Sequence, residues 1–390
     1  MGLKYIDTLT IDSPGTEPRV LQLCMGDVTD MGSNDQIDFL VVSALPDDYS
    51  PVSGSVIAGL SQKGISVDML SKNKAADYEP VMPCWISQPV TSSSSGIEFK
   101  RILLFEPADP ASSAQGLLPD VFTALSCFNG VKNTTVAIPM MCTGSGGADL
   151  AKIFYGLFYA AAFGQSSASF PLSVVKLVVR DQAQLNKVQP LFTAFKQDYT
   201  NIQNLDLPGD YNMYAKSCWD WAQAASLPPY ITRRQAFGIR LYTSNYYGQL
   251  NALLRANDPN DPVYMKTMPV FDAINEGLHN LQSSSGITYR GEMSMSPDRL
   301  NEWVKGNDIT NLAYTSTARP AGTWYNSAAY KFKINGIQCK SISFYSEFPS
   351  ENEFLYAPGL IQHVTSRICD AGNTYCTFAA DEVVINWCNQ

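Results

Sequence analysis

The sequence predicts an α/β three-layer domain followed by an α+β domain. Over the first half, short apolar runs alternate with helical periodicity, strand then helix, several times over. The alternation stops at a polar connector around 201–211 that contains Asp206, Pro208, Gly209 and Asp210. Beyond it, helical segments come first and extended segments later, the order of an α+β domain. The boundary is drawn at this connector, giving domains 1–204 and 205–390.

Taken in order, 20–24 and 37–44 read as apolar strands, 56–63 as a short helix, 99–105 as a strand and 118–128 as a helix. Segments 135–140, 150–163 and 174–179 repeat strand, helix, strand, and 182–199 closes as a helix interrupted at Pro190. Such an order puts helices on both faces of a sheet whose ligands bind outside the carboxyl ends of the strands. In the second half, 213–225, 232–243, 248–255 and 270–281 read as helices. The segments 287–290, 311–317, 329–334, 339–346, 353–356, 361–368 and 377–385 read as extended.

The 390 residues are 45% hydrophobic and 11% aromatic, enough to bury cores and too apolar for disorder. With 27 basic against 36 acidic side chains the net charge is −9, which argues against a nucleic-acid partner. No apolar run reaches the ~20 residues of a membrane span. The nearest, 153–164, reads as a buried helix. No apolar leader opens the sequence, so a cytoplasmic location is expected. Cys24, Cys84, Cys127 and Cys142 lie in apolar segments and read as small core residues. Cys369, Cys376 and Cys388 cluster near the end, where one disulfide is open among them. The two histidines, His279 and His363, make no metal-ligand set, so no metal is expected.

Three segments of the second half stand out. Thr288-Tyr289-Arg290-Gly291 is a strand ending in Arg-Gly. Thr315-Ser316-Thr317 places three hydroxyls in a row. Glu351-Asn352-Glu353 puts two carboxylates two apart where a loop enters a strand, just after Phe348. Each has an ordinary reading: a surface arginine, a β-prone run, a solvated edge. In this order they resemble the R-S-E signature of the arginine-specific, clostridial-toxin-like mono-ADP-ribosyltransferases, over about residues 210–390. The segment from Tyr242 to Arg255, with its Tyr-Tyr and Asn-Ala-Leu-Leu-Arg, looks like that family's helical segment.

The resemblance implies NAD as substrate. Arg290 and Gly291, with Thr315 and Thr317, would hold the dinucleotide, since a guanidinium can grip phosphate oxygens bidentately. Glu353 would stabilise the positive charge that builds on the ribose as nicotinamide leaves, and Ser316 would orient it. Glu351, expected on the same face of an extended segment, would take a proton from an incoming guanidinium. Phe348 has two readings, a contact to the protein substrate or a core position. Arg319, in the following loop, would reach phosphate or stay solvated.

In the first half, Gly26-Asp27-Val28 ends the first apolar strand. Gly54-Ser55 opens a helix, and Thr143-Gly144-Ser145-Gly146 joins a strand to a helix. Glycine-rich turns between strands and helices present backbone N–H groups to anions, though each alone is an ordinary βα turn. Together they resemble a macrodomain, the ADP-ribose-binding α/β module, over about residues 18–200. Asp27 would then hold the adenine amine, with Val28 beside it, and the two glycine turns would hold phosphate. Hydrolytic members carry Asn in the segment aligned with Ser43-Ala44-Leu45-Pro46, which has none here. Binding without hydrolysis is the expectation.

The combined reading is a macro-like ADP-ribose-binding domain ahead of a transferase that modifies arginine on a protein. Its partners would be a protein with an accessible arginine and ADP-ribose or an ADP-ribosylated protein. The alternatives are an NAD glycohydrolase and a non-catalytic ADP-ribose reader. The resemblance to toxins adds a secreted effector or toxin as the alternative location.

Overall fold

The computed structural model describes residues 2–11, 19–32, 34–79, 81–90, 99–128, 133–144, 146–166 and 172–384. The chain divides into two compact units between Thr200 and Asn201. The short turn Ile202–Asn204, assigned by the sequence to the first domain, contributes Ile202 to the second unit's core.

The first unit runs β1 (Lys4–Ile11), β2 (Arg19–Met25), β3 (Ile37–Ser43), α1 (Val56–Gln62), α2 (Val67–Ser71), β4 (Lys74–Asp77), β5 (Cys84–Ser87) and β6 (Phe99–Phe105). It continues with α3 (Ala114–Cys127), β7 (Thr134–Pro139), α4 (Leu150–Ser166), β8 (Leu172–Val179) and α5 (Gln182–Thr200). One sheet holds all eight strands in the order β1-β2-β8-β7-β3-β6-β5-β4. The five central strands are parallel, and β1, β5 and β4 are antiparallel at the two edges. The parallel strands are the apolar runs legible in the sequence, because strands buried on both faces read as continuous hydrophobic stretches. The edge strands escaped that reading. β1 is half exposed, and β4 and β5 are four residues each.

Helix α5 runs unbroken through Pro190, against the expected interruption. Pro190 faces solvent, where water can replace the lost backbone bond, while Leu185, Val188 and Phe192 on the other face are buried. Phe154, Phe158, Phe192 and Phe195 interlock α4 with α5 at centroid distances of 5.5–6.3 Å.

The second unit begins with α6 (Tyr211–Ala224), α7 (Arg233–Thr243), α8 (Tyr247–Ala256) and α9 (Pro262–Asn280). It continues with β9 (Ser283–Glu292), α10 (Pro297–Glu302), β10 (Asp308–Asn311), β11 (Thr315–Ala318) and α11 (Thr323–Ser327). It ends with β12 (Tyr330–Ser341), β13 (Glu353–Tyr356), β14 (Leu360–Cys369) and β15 (Cys376–Val383). Helix α9 starts eight residues before the expected position. Asp261 caps it, accepting from Val263 N–H at 2.8 Å, and Pro269 lies inside it. Thr232 and Gln235 form a capping box at α7.

The sheet order is β10-β14-β15-β12-β13-β11-β9, and β9 also pairs with β12. The strands β12, β13, β11 and β9 therefore close on themselves. The expected strand 311–317 is split into β10 and β11, and the expected strands 329–334 and 339–346 merge into β12 across a bulge at Gly336/Cys339. One core packs α6–α9 against Ala313 and Tyr314 just before β11, Ile342 and Tyr345 after β12, and Leu355 of β13. A second lies under Trp303, Phe332 and Phe378, with rings 4.7–5.3 Å apart.

Cys369 and Cys376 form a disulfide between β14 and β15; Cys388 lies outside the described residues. Cys24, Cys84 and Cys142 are buried free thiols, whereas Cys127 is disulfide-bonded rather than a simple core residue.

Candidate active site

In the second unit three strands converge. The β11–β13 register sets Ser316 opposite Leu355 and Ala318 opposite Glu353. Residues two apart on a strand share a face, so Ser316 and Glu353 are diagonal neighbours. The Ser316 hydroxyl donates to Glu353 Oε1 at 2.6 Å. From β9, Arg290 Nη1 donates to the Ser316 carbonyl at 2.9 Å and Nε donates to Glu292 Oε1 at 2.8 Å. Arg290 Nη2 has no hydrogen bond among the described residues. The three motifs thus meet at one point.

Glu353 is 8% exposed, and burial pushes it up to about 7. The Ser316 hydroxyl and the Arg290 charge pull it down, while the Glu351 charge pushes it up. A carboxyl poised near neutrality in a converging site is the electrostatic mark of functional groups.

Glu351 is exposed and lies in a single turn of 3₁₀ helix, Pro349–Glu351. Asn352 follows with φ 48°, in the left-handed region. The expectation that strand alternation puts Glu351 beside Glu353 is therefore wrong in its reason. A turn, not a pleat, relates the two carboxylates, and it still leaves Glu351 close enough to raise Glu353 electrostatically.

Thr315 and Thr317 alternate to the face opposite Ser316. Both are buried, and the Thr317 hydroxyl donates to Phe354 O at 2.9 Å. The structure does not bring their side chains to Glu353. Gly291 is a close-approach position: a Cβ there would stand 2.7 Å from Ala328 Cβ and 3.0 Å from the Trp324 ring. Its lack of a side chain lets α11 and Ala328 close on β9. Arg319 is half-exposed, with its guanidinium engaged by backbone carbonyls. It donates to Ile287 O at 2.9 Å and Ser285 O at 3.1 Å, with its guanidinium 4.6 Å from the Phe354 ring centroid. Phe348 is 50% exposed, which removes its core reading.

Two supports were not read from the sequence. Glu292 binds Arg290 and also accepts from both Nη atoms of Arg299, and the two arginines hold it below the usual carboxylate range. This fixes the Arg290 guanidinium. Glu292 sits two residues from Arg290 on the same strand face, a signal available in the sequence, whereas Arg299 reaches it only through the fold. Tyr242, fully buried on α7, faces the charges of both Glu353 and Arg290 and accepts from Asn251 Nδ2 at 3.3 Å. Its ring lies 5.1 Å from that of Tyr314, the residue before β11.

In the first unit, the strands β2 and β7 are parallel members of one sheet, so the segments after them emerge at its carboxyl edge. Asp27 is exposed, and its Oδ1 accepts from the Thr29 N–H at 2.8 Å and the Thr29 hydroxyl at 2.7 Å. Val28 is buried. Gly54 precedes Ser55, whose hydroxyl caps α1 by accepting from Ala58 N–H at 3.0 Å. A Cβ at Gly59 would stand 2.7 Å from Thr29 Oγ1, so glycine there lets α1 press against the turn that holds Asp27. After β7, the Thr143 hydroxyl donates to Met140 O at 2.9 Å, and the turn Gly144 to Gly147 closes through Gly147 N–H to Gly144 O at 3.2 Å. Gly146 lies in this turn, while Ser145 lies outside the described residues. The Cys142 N–H donates to Ser43 Oγ at 3.3 Å, which ties this turn to the end of β3.

Residues 212–383 match the ADP-ribosyltransferase exoenzyme family. The match contains Arg290, Ser316, Glu351 and Glu353. A putative NAD(+)–arginine ADP-ribosyltransferase, Mav, of Mycobacterium avium (strain 104) is 28% identical over 132 residues, 33% of this chain. The match spans only 15% of that relative's length. Among solved structures, the type III effector XopAI from Xanthomonas axonopodis pv. citri is similar over 48% of this chain and 82% of its own, at 18% identity and TM-score 0.41. The Clostridium limosum C3 exoenzyme is similar over 44% and 93%, at 16% identity and TM-score 0.34.

Among the described residues, no helix is long and apolar enough to cross a membrane, and no group of three or more His, Cys, Asp or Glu is placed to hold a metal.

Proposed function

We propose that the second unit transfers ADP-ribose from NAD⁺ to an arginine side chain of a protein. The observation that carries this is the hydrogen bond of Ser316 to buried Glu353, anchored to Arg290, with Glu351 exposed at its rim. As the bond between ribose C1 and the nicotinamide nitrogen breaks, the electron pair leaves with neutral nicotinamide and positive charge develops on the sugar. A fixed carboxylate at Glu353 stabilises that charge, and Ser316 holds it in place. Arg290, pinned by Glu292, presents Nη2 to a phosphate oxygen. The acceptor guanidinium loses one proton to Glu351, and its nitrogen forms the new bond to C1. The family match and the arginine named in the Mycobacterium avium relative support the reading. The test is release of nicotinamide from labelled NAD⁺ with and without an arginine analogue. Label on the analogue supports transfer; nicotinamide release with label only on free ADP-ribose makes the protein a glycohydrolase.

Glu353 must be ionised to act, so the rising limb of kcat/KM for nicotinamide release is expected at about pH 7. Ser316→Ala removes a group that favours the carboxylate, and the limb moves up. Glu351→Gln removes a group that disfavours it, and the limb moves down. A limb left near the ordinary carboxylate range of about 4.3 would refute the assignment.

The first unit is read as an ADP-ribose-binding, macro-like domain. Its parallel sheet with Asp27 and two glycine turns at the carboxyl edge supports this. Asp27→Ala is expected to weaken ADP-ribose binding to the chain by roughly 1.5–3 kcal/mol, the range of a charge-assisted hydrogen bond. Calorimetry giving equal affinities for wild type and variant would remove Asp27 from the site. The disulfide Cys369–Cys376 favours an oxidising compartment, and with it the secreted alternative over the cytoplasm.

A further inference from the structure

The first unit holds a buried carboxyl that neither reading uses. Glu106 follows β6 at the carboxyl edge of the sheet and is 5% exposed. Its Oε1 accepts from the Asp47 backbone N–H at 3.2 Å, and its Oε2 accepts from the Trp85 indole N–H at 2.9 Å. The Tyr49 hydroxyl is close enough to feel the charge of the same carboxyl, and the Tyr49 ring stands edge-on to Trp85 at 6.1 Å. The loop 44–50 above it follows β3 and is exposed from Leu45 to Asp48. Asp47 has φ 58°, in the left-handed region that Asp adopts more readily than most residues. Among the described residues, the other hydrogen bonds of 45–50 are local (Asp48 N–H to Leu45 O, Ser50 N–H to Asp48 Oδ1, Val52 N–H to Ser50 O), so the Asp47 N–H to Glu106 is the one that ties this loop to the end of β6.

We propose that Glu106 is a proton-operated latch: as a carboxylate it fixes the loop 44–50 at the ligand-binding edge of the first unit, and as a carboxylic acid it releases it. Its effect on ligand affinity rests on the ADP-ribose reading of that edge; the latch itself does not.

The titratable and charged groups around this carboxyl come from each neighbouring element. Asp47 and Tyr49 belong to the loop, and Glu79 follows β4, paired with Lys74 of β4 at 2.6 Å. The Cys84 thiol of β5 faces both Glu106 and Asp120 of α3. Burial and then Glu79 push Glu106 up to about 7, against the pull of Tyr49 and the Asp47 N–H. A neutral Glu106 donates its proton toward Glu79 and loses acceptor capacity. An ionised one accepts from the loop with charge-assisted strength. The latch therefore closes as pH rises through about 7.

The test uses the full chain labelled with ¹⁵N at Asp and Trp, followed by NMR from pH 5.5 to 8.5. The Asp47 amide and the Trp85 indole resonances are expected to shift together, with one midpoint near 7. Glu79→Gln, at an exposed position, lowers that midpoint, and Glu106→Gln abolishes both shifts while leaving the other indole resonances in place. Hydrogen exchange over 45–50, corrected for its intrinsic pH dependence, slows about fivefold across the transition. ADP-ribose affinity by calorimetry rises by about the same factor in wild type and is independent of pH in Glu106→Gln. Resonances that do not move over this range, or that move equally in Glu106→Gln, overturn the latch. A shared midpoint with no ADP-ribose heat at any pH supports the latch and removes the ligand reading.

Discussion

Replacing Glu353 with Gln is expected to slow nicotinamide release by at least ~100-fold at pH 8 while making the protein more stable. Gln keeps the volume and the oxygen that accepts from Ser316 Oγ. It loses the charge, and a preorganised charge at the developing cation is usually the largest single contribution, on the order of 3 kcal/mol or more. NAD⁺ affinity should change little, since the lost interaction strengthens only in the transition state. The gain in stability follows from burial. Glu353 is raised from 4.5 to about 7 in the fold, so its favourable contribution is complete below about 4.5 and is lost as pH rises through 7. At pH 8 the buried carboxylate costs up to about 3 kcal/mol, and Gln relieves it. Thermal unfolding at pH 8 should therefore occur at a higher temperature in the variant, with the difference vanishing near pH 4. Opposite signs for activity and stability are what a site kept for chemistry produces. Turnover close to wild type would remove Glu353 from the mechanism.

The sequence made the strands that carry this site legible and their mutual geometry illegible. Residues 353–356 read as a strand because an apolar, aromatic run is bounded by a polar loop and a Pro-Gly turn, and β13 has those limits. Likewise the apolar run 102–105 becomes the buried end of β6, while Lys100 and Arg101 before it are exposed or half-exposed. Period-2 reasoning failed at Glu351, where a 3₁₀ turn and the left-handed Asn352 replace the pleat. It would have succeeded on Thr315 and Thr317, which the same alternation turns away from Ser316. The Glu292–Arg299 pair and the approach of Tyr242 to Glu353 depend on how α10 and α7 pack, which no local pattern encodes. The Glu106 latch is equally hidden, because its partners Asp47, Glu79 and Trp85 come from three separate segments.

Glu351→Gln separates opening the nicotinamide bond from activating the acceptor. Charge on the ribose develops beside Glu353, so bond opening needs Glu353 and not Glu351. An arginine side chain, with a pKa above about 12, arrives charged and must lose a proton to become a nucleophile, whereas water attacks without that demand. Glu351 is exposed at the mouth of the site, on a turn that projects it beyond the buried Glu353. Transfer to an arginine analogue should therefore fall by at least ~100-fold, the lower range of general-base catalysis, while NAD⁺ hydrolysis stays within about threefold. Hydrolysis below pH 7 should even rise slightly, because removing the Glu351 charge lets Glu353 ionise earlier. The two rates are measured on one variant, nicotinamide release in water and labelling of the analogue. Equal loss in both would place Glu351 in the NAD⁺ site itself, and loss in neither would make it a solvated loop residue; either result refutes the division of labour between the two carboxylates.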